Sequence, residues 1–291
     1  MTDRMTPPRA HAAVQALADV EALDAPAKKL GKTVRDLIGP GKLKDALSGS
    51  WLGHALHPML TDLPIGTYTS ALLLDWLGGR DSQAAADRLI GLGLLSTAPT
   101  VVTGYSEWAD SEVGDAEVRR IGIVHAAANV TTASLMAASW VARKRGARGR
   151  GRLLALAGGA TMGAGAYLGG HLSLAEGIGV DRSTFETAHE DWADALAEGE
   201  LGEGQMRCVD VAGTPVLVAR ASGELHAVSN RCVHRGGPLH EGELDGTTVT
   251  CPWHSSVFDL RDGGLVHGPA AYPQPAWETR VQGGRIEVRR L

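Results

Sequence analysis

Four long apolar segments dominate the first two thirds of the chain. They extend over residues 57–77, 89–108, 121–142 and 153–171, and charged or glycine-containing stretches separate them. Each segment has about the 20 residues that an α-helix needs to cross a bilayer. The pattern predicts an all-α four-helix transmembrane bundle. The alternative is a soluble protein with a buried helical bundle. The two carboxylates Asp62 and Asp75 inside the first segment support this alternative.

A different pattern begins at Met206, where short runs of alternating polar and apolar residues replace the long segments. The runs are RCVDV, TPVLVAR, ELHAVS, TTVTC, SVFDL and RIEVRR. Turn pairs such as Asp245–Gly246, Asp262–Gly263 and Gly283–Gly284 separate several of them. Alternation with a period of two, bounded by such turns, is typical of antiparallel strands. The last part of the chain is therefore predicted to be a small all-β domain.

The segments outside these two patterns are polar. The first 50 residues carry charges of both signs, and two short amphipathic helices are predicted there, over 14–23 and 30–37. Residues 174–205 are acidic and interrupted by glycine. The predicted organisation is a polar N-terminal tail over 1–50, a four-helix transmembrane domain over 51–173, an acidic linker over 174–205 and the β domain over 206–291.

Charge and cysteine content narrow the function classes. The net charge of −5 gives no reason to expect a nucleic-acid partner. The chain has three cysteines, and two of them belong to one metal-binding pattern. Cys208 is the remaining cysteine, so no disulfide framework is expected. The chain also lacks a dinucleotide-binding fingerprint, so a separate reductase is expected as the electron donor.

The metal-binding pattern lies inside the β domain. Cys232 and His234 stand two residues apart, Cys251 and His254 stand three apart, and sixteen residues separate the two pairs. Each pair places a thiolate and an imidazole on one tight loop. Two cysteines and two histidines suit one tetrahedral zinc ion, or a [2Fe–2S] cluster in which the cysteines bind one iron and the histidines the other.

The stretch NRCVHRGGPLHEGELDGTTVTCPWHSSVFDLRDGG, at 230–264, resembles the Rieske family along its whole length. The Gly236-Gly237-Pro238 turn and the later Gly268-Pro269 loop match as well, and a zinc site would need neither. The resemblance implies a [2Fe–2S] cluster, ligation by Cys232, His234, Cys251 and His254, and one-electron transfer.

Departures from the respiratory branch of that family refine the expectation. Gly237 and Trp253 stand where that branch has a disulfide pair, and Phe258 replaces a tyrosine that donates to the cluster. Ser256 keeps the other hydroxyl donor, and Pro269 belongs to the loop that covers the cluster. Fewer donors near an anionic cluster destabilise its reduced form. The domain therefore resembles Rieske ferredoxins and oxygenase-type domains, with a lower reduction potential than the respiratory proteins.

Rieske oxygenases need a further domain with a mononuclear iron, and Leu291 follows directly after the last predicted strand. We therefore expect an electron carrier with a protein redox partner, either a reductase or an acceptor, and not an oxygenase. A quinone-linked oxidoreductase subunit and a membrane-tethered redox or iron–sulfur sensor remain as alternatives.

The helical region resembles a family of bacterial membrane domains of unknown function. The residues that carry this resemblance are Leu52-Gly-His-Ala-Leu-His57-Pro, Leu63-Pro-Ile-Gly66, Gly104-Tyr-Ser-Glu-Trp108, His125 and Gly169-Gly170-His171. If the four helices cross the bilayer in turn, one side holds five polar side chains: His54, His57, Glu107, His125 and His171. Such imidazoles suit axial ligation of a haem b, proton transfer at a quinone site, or a structural role at the membrane interface.

The side of the membrane that the β domain faces is predicted from weak signals. Basic residues near the spans number seven on the side of the termini and eight on the other side, so the charge rule decides little. The N-terminus lacks a secretory signal and a twin arginine. The absence of the disulfide cysteines suits a reducing compartment. We therefore expect a β domain that faces the cytoplasm.

Overall fold

The protein divides into a helical unit and a β unit. The computed structural model describes residues 9–187 and 190–291, so the first eight residues of the predicted tail and residues 188–189 of the predicted linker lie outside the described residues. The first unit contains the chain up to Leu37 together with Leu56–Ile178. The second unit contains Ile38–Ala55 together with Gly179–Leu291.

The described residues form seven α-helices. They are α1 (Arg9–Ala18), α2 (Asp24–Leu37), α3 (Lys42–Ser48), α4 (Leu56–Leu77), α5 (Gln83–Ser111), α6 (Ala116–Lys144) and α7 (Arg148–Leu174). Helix α3 belongs to the second unit and the other six to the first. The four long helices α4 to α7 contain the four predicted apolar segments. In the bundle, α5 packs against α4 and α6, and α7 packs against α6 and α4.

Helix α6 shows how the sequence sets a helix boundary. The side chain of Asp115 accepts hydrogen bonds from the backbone N–H groups of Glu117, at 2.8 Å, and Val118, at 3.2 Å. An aspartate at this position satisfies donors that the first helical turn leaves without partners. The polar loop between the second and third apolar segments therefore ends at Asp115.

The carboxylate inside the first apolar segment has a partner within the bundle. Arg143 of α6 donates from Nη1 to Asp75 Oδ1 at 2.8 Å and to Asp87 Oδ1 at 3.1 Å. The side chains of Asp75 and Arg143 are buried. A buried charge is tolerated when an opposite charge and hydrogen bonds compensate it. Asp75 is therefore no argument against an apolar setting for α4.

Among the described residues, three helices are long and apolar enough to cross a membrane. They are α5, α6 and α7. Helix α4 has 22 residues and carries Asp62 and Asp75, and it is not one of the three. The predicted class of an apolar helical domain is confirmed, whereas the fourth span stays a prediction.

The prediction of one polar tail over 1–50 is wrong for its described part. Val14 and Ala18 of α1 are buried against α6 and α7, in a cluster with Val118, Ile121 and Leu168. Helix α2 packs against α5 and α6. The amphipathic pattern of this region serves to cover the bundle. Residues 38–50 belong instead to the second unit.

The described part of the second unit contains ten strands in two antiparallel sheets. They are β1 (Ala193–Ala197), β2 (Gln205–Val211), β3 (Thr214–Ala221), β4 (Glu224–Ser229), β5 (Glu243–Asp245), β6 (Thr248–Thr250), β7 (Val257–Asp259), β8 (Leu265–His267), β9 (Ala276–Gln282) and β10 (Arg285–Arg290). One sheet has the order β1-β10-β9-β4-β3-β2, and the other has the order β5-β6-β7-β8. The predicted all-β class is confirmed.

Two-residue turns set the register of the large sheet. Ala212–Gly213 joins β2 to β3, Ser222–Gly223 joins β3 to β4, and Gly283–Gly284 joins β9 to β10. All six residues have positive φ, between 49° and 90°. Positive φ at both positions defines the turn whose twist matches paired strands. The glycine pairs of the sequence are therefore part of the hairpins.

Strand β1 corrects the predicted linker. It lies at Ala193–Ala197, inside the 174–205 segment, and it pairs with β10 so that Ala193 faces Val288. Leu196 is buried with Trp277 and Ile286. An alternation of small residues with acidic neighbours gives little local signal, so pairing with β10 decides this strand. The β domain therefore begins before residue 206.

Candidate metal centre

Two loops of the second unit carry the predicted ligands, and they have the same turn. In the loop after β4, the N–H of Gly236 donates to Cys232 O at 2.7 Å. In the loop after β6, the N–H of Ser255 donates to Cys251 O at 3.1 Å. The donor residue is in the left-handed region in both loops, with φ of 80° at Gly236 and 61° at Ser255. Each turn therefore folds the chain back around its cysteine.

A second pair of hydrogen bonds closes each loop. Cys232 N donates to Gly237 O at 2.9 Å, and Cys251 N donates to Ser256 O at 2.8 Å. In both loops, the cysteine is therefore paired with the fifth residue after it. The two loops are therefore copies of one local structure, although one has a single residue between Cys and His and the other has two.

The four predicted ligands meet in two pairs. The Cys232 and Cys251 thiols are hydrogen-bonded to each other, and both residues are buried. The rings of His234 and His254 lie edge to face, with centroids 5.0 Å apart, and both residues are partly exposed. The thiols therefore form the inner pair of the site and the imidazoles the outer pair.

Within the cysteine pair, Cys251 is the thiol that ionises more readily. The pKa of Cys251 is lowered to about 7 by the hydrogen bond from the Cys232 thiol, and the N–H groups of Trp253 and His254 lower it further against the effect of burial. The pKa of Cys232 is raised, because its thiol is the donor to Cys251 and because it is buried. Metal binding requires thiolates, and backbone N–H groups stabilise them.

In the outer pair, His234 is held in the neutral form that binds metal. Burial lowers the pKa of His234 well below its ordinary value, and a positive charge on His254, when that ring is protonated, or on Lys44 acts in the same direction. Arg235 and Arg182 add to this effect. A neutral imidazole has a lone pair available for a metal ion.

These residues fit a two-iron cluster better than one zinc ion. A tetrahedral zinc site needs all four donors around one point. Separate pairs of thiols and imidazoles are the donor set of a Rieske centre, with one pair for each iron.

The predicted tuning residues lie around the thiol pair. Phe258 is fully buried in one apolar cluster with Cys232, Cys251 and Ala270. Ser256 is also buried, and its Oγ accepts a hydrogen bond from the N–H of Ala270 at 3.0 Å. Pro269 directly precedes Ala270, so this bond ties the predicted covering loop to a ligand loop. The effect of these predicted tuning residues on the reduction potential of a cluster stays a prediction.

Gly237 and Trp253, the positions of the missing disulfide, are neighbours. A Cβ atom at residue 237 would lie 3.1 Å from Trp253 Cγ and 2.8 Å from Cys251 Sγ. Real Cβ contacts are almost never this short, so glycine permits the close approach of the two ligand loops.

The structure brings together three of the five predicted polar residues of the helical unit. A cavity of about 360 Å³ within that unit is lined by His57, Glu107 and His125. His171 does not line it, and its Nε2 lies 3.2 Å from Glu176 Oε1. His54 belongs to the second unit, where its ring centroid lies 6.0 Å from that of Tyr272. His54 and His171 therefore lie outside this cavity lining, and the placement of all five residues on one side of the membrane stays a prediction.

Both cavity histidines are fixed by backbone carbonyl groups. His57 Nδ1 lies 3.0 Å from Thr100 O, and His125 Nδ1 lies 2.9 Å from Gly165 O. Asn129 Nδ2 lies 3.1 Å from His125 Nε2. With a proton on Nδ1, the His125 ring therefore donates to a carbonyl oxygen and accepts from an amide, so both of its nitrogens are engaged.

Glycines of the neighbouring helices make room for these rings. A Cβ at Gly104 of α5 would lie 2.6 Å from His57 Cε1, and one at Gly169 of α7 would lie 2.9 Å from His125 Cε1. Sequence reasoning missed Thr100 and Asn129, which orient the rings. Nothing local marks Thr100, since its contact to His57 crosses between helices. Asn129 lies four residues after His125 on α6, a helical spacing that could have indicated it.

Comparisons with known proteins agree with this architecture. Residues 191–278 match the Rieske [2Fe–2S] domain family, and residues 53–182 match the family described as a predicted membrane protein, DUF2231. The chain belongs to the Rieske family through its β domain, which is fused to a DUF2231 membrane domain. A Rieske domain carries a [2Fe–2S] cluster, as the resemblance implied.

The relatives of the β domain include small ferredoxins. The ferredoxin subunit of 3-phenylpropionate/cinnamic acid dioxygenase from Escherichia coli is 34% identical over 96 residues, which are 32% of this chain and 89% of that protein. The ferredoxin component of the naphthalene 1,2-dioxygenase system from Pseudomonas aeruginosa is 29% identical over 99 residues, which are 34% of this chain and 95% of that protein.

A larger relative and a solved structure cover the same domain. Human apoptosis-inducing factor 3 is 33% identical over 90 residues, and the chain spans only 15% of its length. The ferredoxin of carbazole 1,9a-dioxygenase from Nocardioides aromaticivorans IC177 is 28% identical, with a TM-score of 0.33, over 34% of this chain and 98% of that one.

Proposed function

We propose that the protein is a membrane-anchored one-electron carrier. Cys232 and Cys251 would hold one iron of a [2Fe–2S] cluster, and His234 and His254 would hold the other. The observation that carries the proposal is the pairing of two thiols and two imidazoles on loops with the same hydrogen bonds. The bound cluster supplies a one-electron couple, and the chain supplies the N–H donors and the apolar enclosure around the sulfurs.

The accessible histidines set where electrons would enter and leave. His234 and His254 are partly exposed, whereas both cysteines are buried. A protein partner would therefore approach the imidazole side. The ferredoxin relatives belong to dioxygenase systems, which supports a reductase or an acceptor protein as the partner class. A redox sensor, by contrast, would not need to exchange electrons repeatedly with such a partner.

Electron paramagnetic resonance of the reduced full-length protein tests the cluster. Mixed nitrogen and sulfur ligation lowers the average g value below that of clusters with four cysteines. We expect this lowered value together with two iron atoms per chain. Bound zinc without a paramagnetic signal would contradict the proposal.

We also propose four membrane spans, with α4 as the first and the β unit in the cytoplasm. The ion pair of Asp75 with Arg143 supports a buried α4. Cys208 is exposed in the β unit and offers a natural probe. A membrane-impermeant maleimide should label it in inverted vesicles and not in intact cells, with Cys208→Ser as the control. Labelling in intact cells would reverse the orientation.

A second candidate function concerns the cavity of the helical unit, where the observations favour a quinone over haem b. Asn129 and Gly165 engage both nitrogens of His125, so this ring is not available as an axial iron ligand. The lining is mainly apolar, and His57 and Glu107 are polar groups at the cavity. These features suit an apolar ring with hydroxyl or carbonyl groups.

With a quinone site in this cavity, one quinol would release two electrons and two protons and become a quinone. The two electrons would reduce two clusters in succession. Reduction of the cluster by duroquinol, followed at visible wavelengths, tests this function. A haem absorption band in the purified protein, without reduction by quinol, would favour haem b instead.

A further inference from the structure

A segment far from the ligands in sequence is part of the β unit. Residues 38–55 belong to that unit and contain α3 and the 3₁₀ turn Ser50–Leu52. The match to the Rieske family covers 191–278, so this segment lies outside the family's own sequence. What it contacts in the β unit is the loop that follows β8.

Asp45 of α3 binds the start of that loop. Its Oδ1 accepts a hydrogen bond from the N–H of Gly268 at 2.8 Å, and its Oδ2 lies 2.9 Å from His267 Nδ1. Gly268 precedes Pro269, which the sequence places in the loop over the cluster. One carboxylate therefore holds two successive residues of the covering loop.

Ser50 binds the end of the same loop. Its Oγ donates to the carbonyl oxygen of Ala270 at 2.7 Å. A Cβ atom at Gly268 would lie only 2.2 Å from this Oγ, so the segment and the loop are in close contact. Asp45 and Ser50 together fix the loop on both sides of Pro269.

The covering loop in turn contacts the site. The N–H of Ala270 donates to Ser256 Oγ at 3.0 Å, and Ala270 is buried in one cluster with both cysteines. The contacts therefore run from α3 through residues 268–270 to the second ligand loop.

We propose that residues 38–55 form an intrachain cap on the cluster site, in which Asp45 and Ser50 hold the covering loop against the second ligand loop. The inference rests on the proposed cluster at this site.

A wild-type protein without any cluster signal would overturn the proposed function. A protein that carries the cluster and releases iron at the same rate with and without the cap contacts would overturn only the cap, so the two failures are distinguishable.

The hold on the covering loop is tested with the full-length protein that carries its cluster. Iron release from the oxidised protein to a chelator should be several-fold faster in Asp45→Asn, and faster to a smaller degree in the milder variant Ser50→Ala. Asp36→Asn is the control, since this carboxylate pairs with Lys32 on the exposed side of α2. Wild-type release rates in both cap variants would overturn the cap.

Discussion

The protein contains two pairs of histidines that are built in different ways. His234 and His254 each follow a cysteine within three residues on a tight loop, and their rings are partly exposed. His57 and His125 come from two different helices, and each ring occupies the space left by a glycine of a neighbouring helix. The first pair accompanies two thiols, whereas the second lines a mainly apolar cavity.

This difference shows which side-chain contacts follow from short sequence spacing and which depend on tertiary packing. In the β unit, short spacing brings a thiol and an imidazole together before any long-range contact forms. In the helical unit, the carbonyl partners Thr100 of His57 and Gly165 of His125 come into contact only when helices pack. Hydrogen bonds such as that from His57 to Thr100 then decide which nitrogen faces the cavity.

The largest expected effect comes from removing a thiol of the inner pair. Cys251→Ser should abolish the cluster, because serine oxygen is a poor replacement for a thiolate in an iron–sulfur site. The measurement is the iron content together with the paramagnetic signal of the reduced protein. Cys208→Ser, at an exposed cysteine of the same unit, should leave both unchanged. Loss of the cluster in both variants would refute the assignment.

The second expected effect concerns the helical pair. His57→Leu should slow cluster reduction by duroquinol by about tenfold, which corresponds to about 1.4 kcal/mol at the barrier, because it removes a polar group from the cavity. His171→Leu changes a histidine outside the lining and should have little effect. Equal rates in His57→Leu and wild type would remove the proposed quinone site and leave the β unit as the only redox site.

The third prediction tests the approach of the two ligand loops. Gly237→Ala would place a methyl group 2.8 Å from Cys251 Sγ, so overpacking should cost about 1–3 kcal/mol of stability. Thermal bleaching of the cluster absorbance should occur at lower temperature. Gly199→Ala has open space around its Cβ and is the control. A normal melting temperature for Gly237→Ala would mean that the loops can separate.

The smallest expected effects test the likeness of the two loops. Gly236 and Ser255 occupy the same left-handed position. Gly236→Ala should destabilise the domain by about 1 kcal/mol, because a Cβ is strained there. Ser255→Gly should remove that strain and stabilise it by less than about 1 kcal/mol, since glycine adds entropy to the unfolded chain. Thermal melts of both variants measure this, and shifts of the same sign would contradict the likeness.

Local signals were sufficient for several elements of the fold. The helices α4 to α7 extend a few residues beyond the apolar segments that predicted them, and the runs ending at Val211 and Ser229 became β2 and β4. The strands β1, β5, β8 and β9 were not predicted, because they are short or weakly alternating. Partners such as β10 for β1 stabilise them.

The predicted tail shows a different limit. Val14 and Ala18 have an amphipathic pattern that predicts a helix but not the surface that the helix covers. Asp45 looks like an ordinary charge on a polar segment. Its contact with Gly268 connects positions more than 180 residues apart.

The sequence by itself determined the chemical class, because the spacing of Cys232, His234, Cys251 and His254 is a local property of two loops. It also determined that a helical apolar domain precedes the β domain, since hydrophobic length depends on composition alone. Only the tertiary structure decided that His57 and His125 share a cavity without His54 and His171, and that residues 38–55 contact the covering loop. Those relations depend on packing between distant segments, for which neighbouring residues carry no signal.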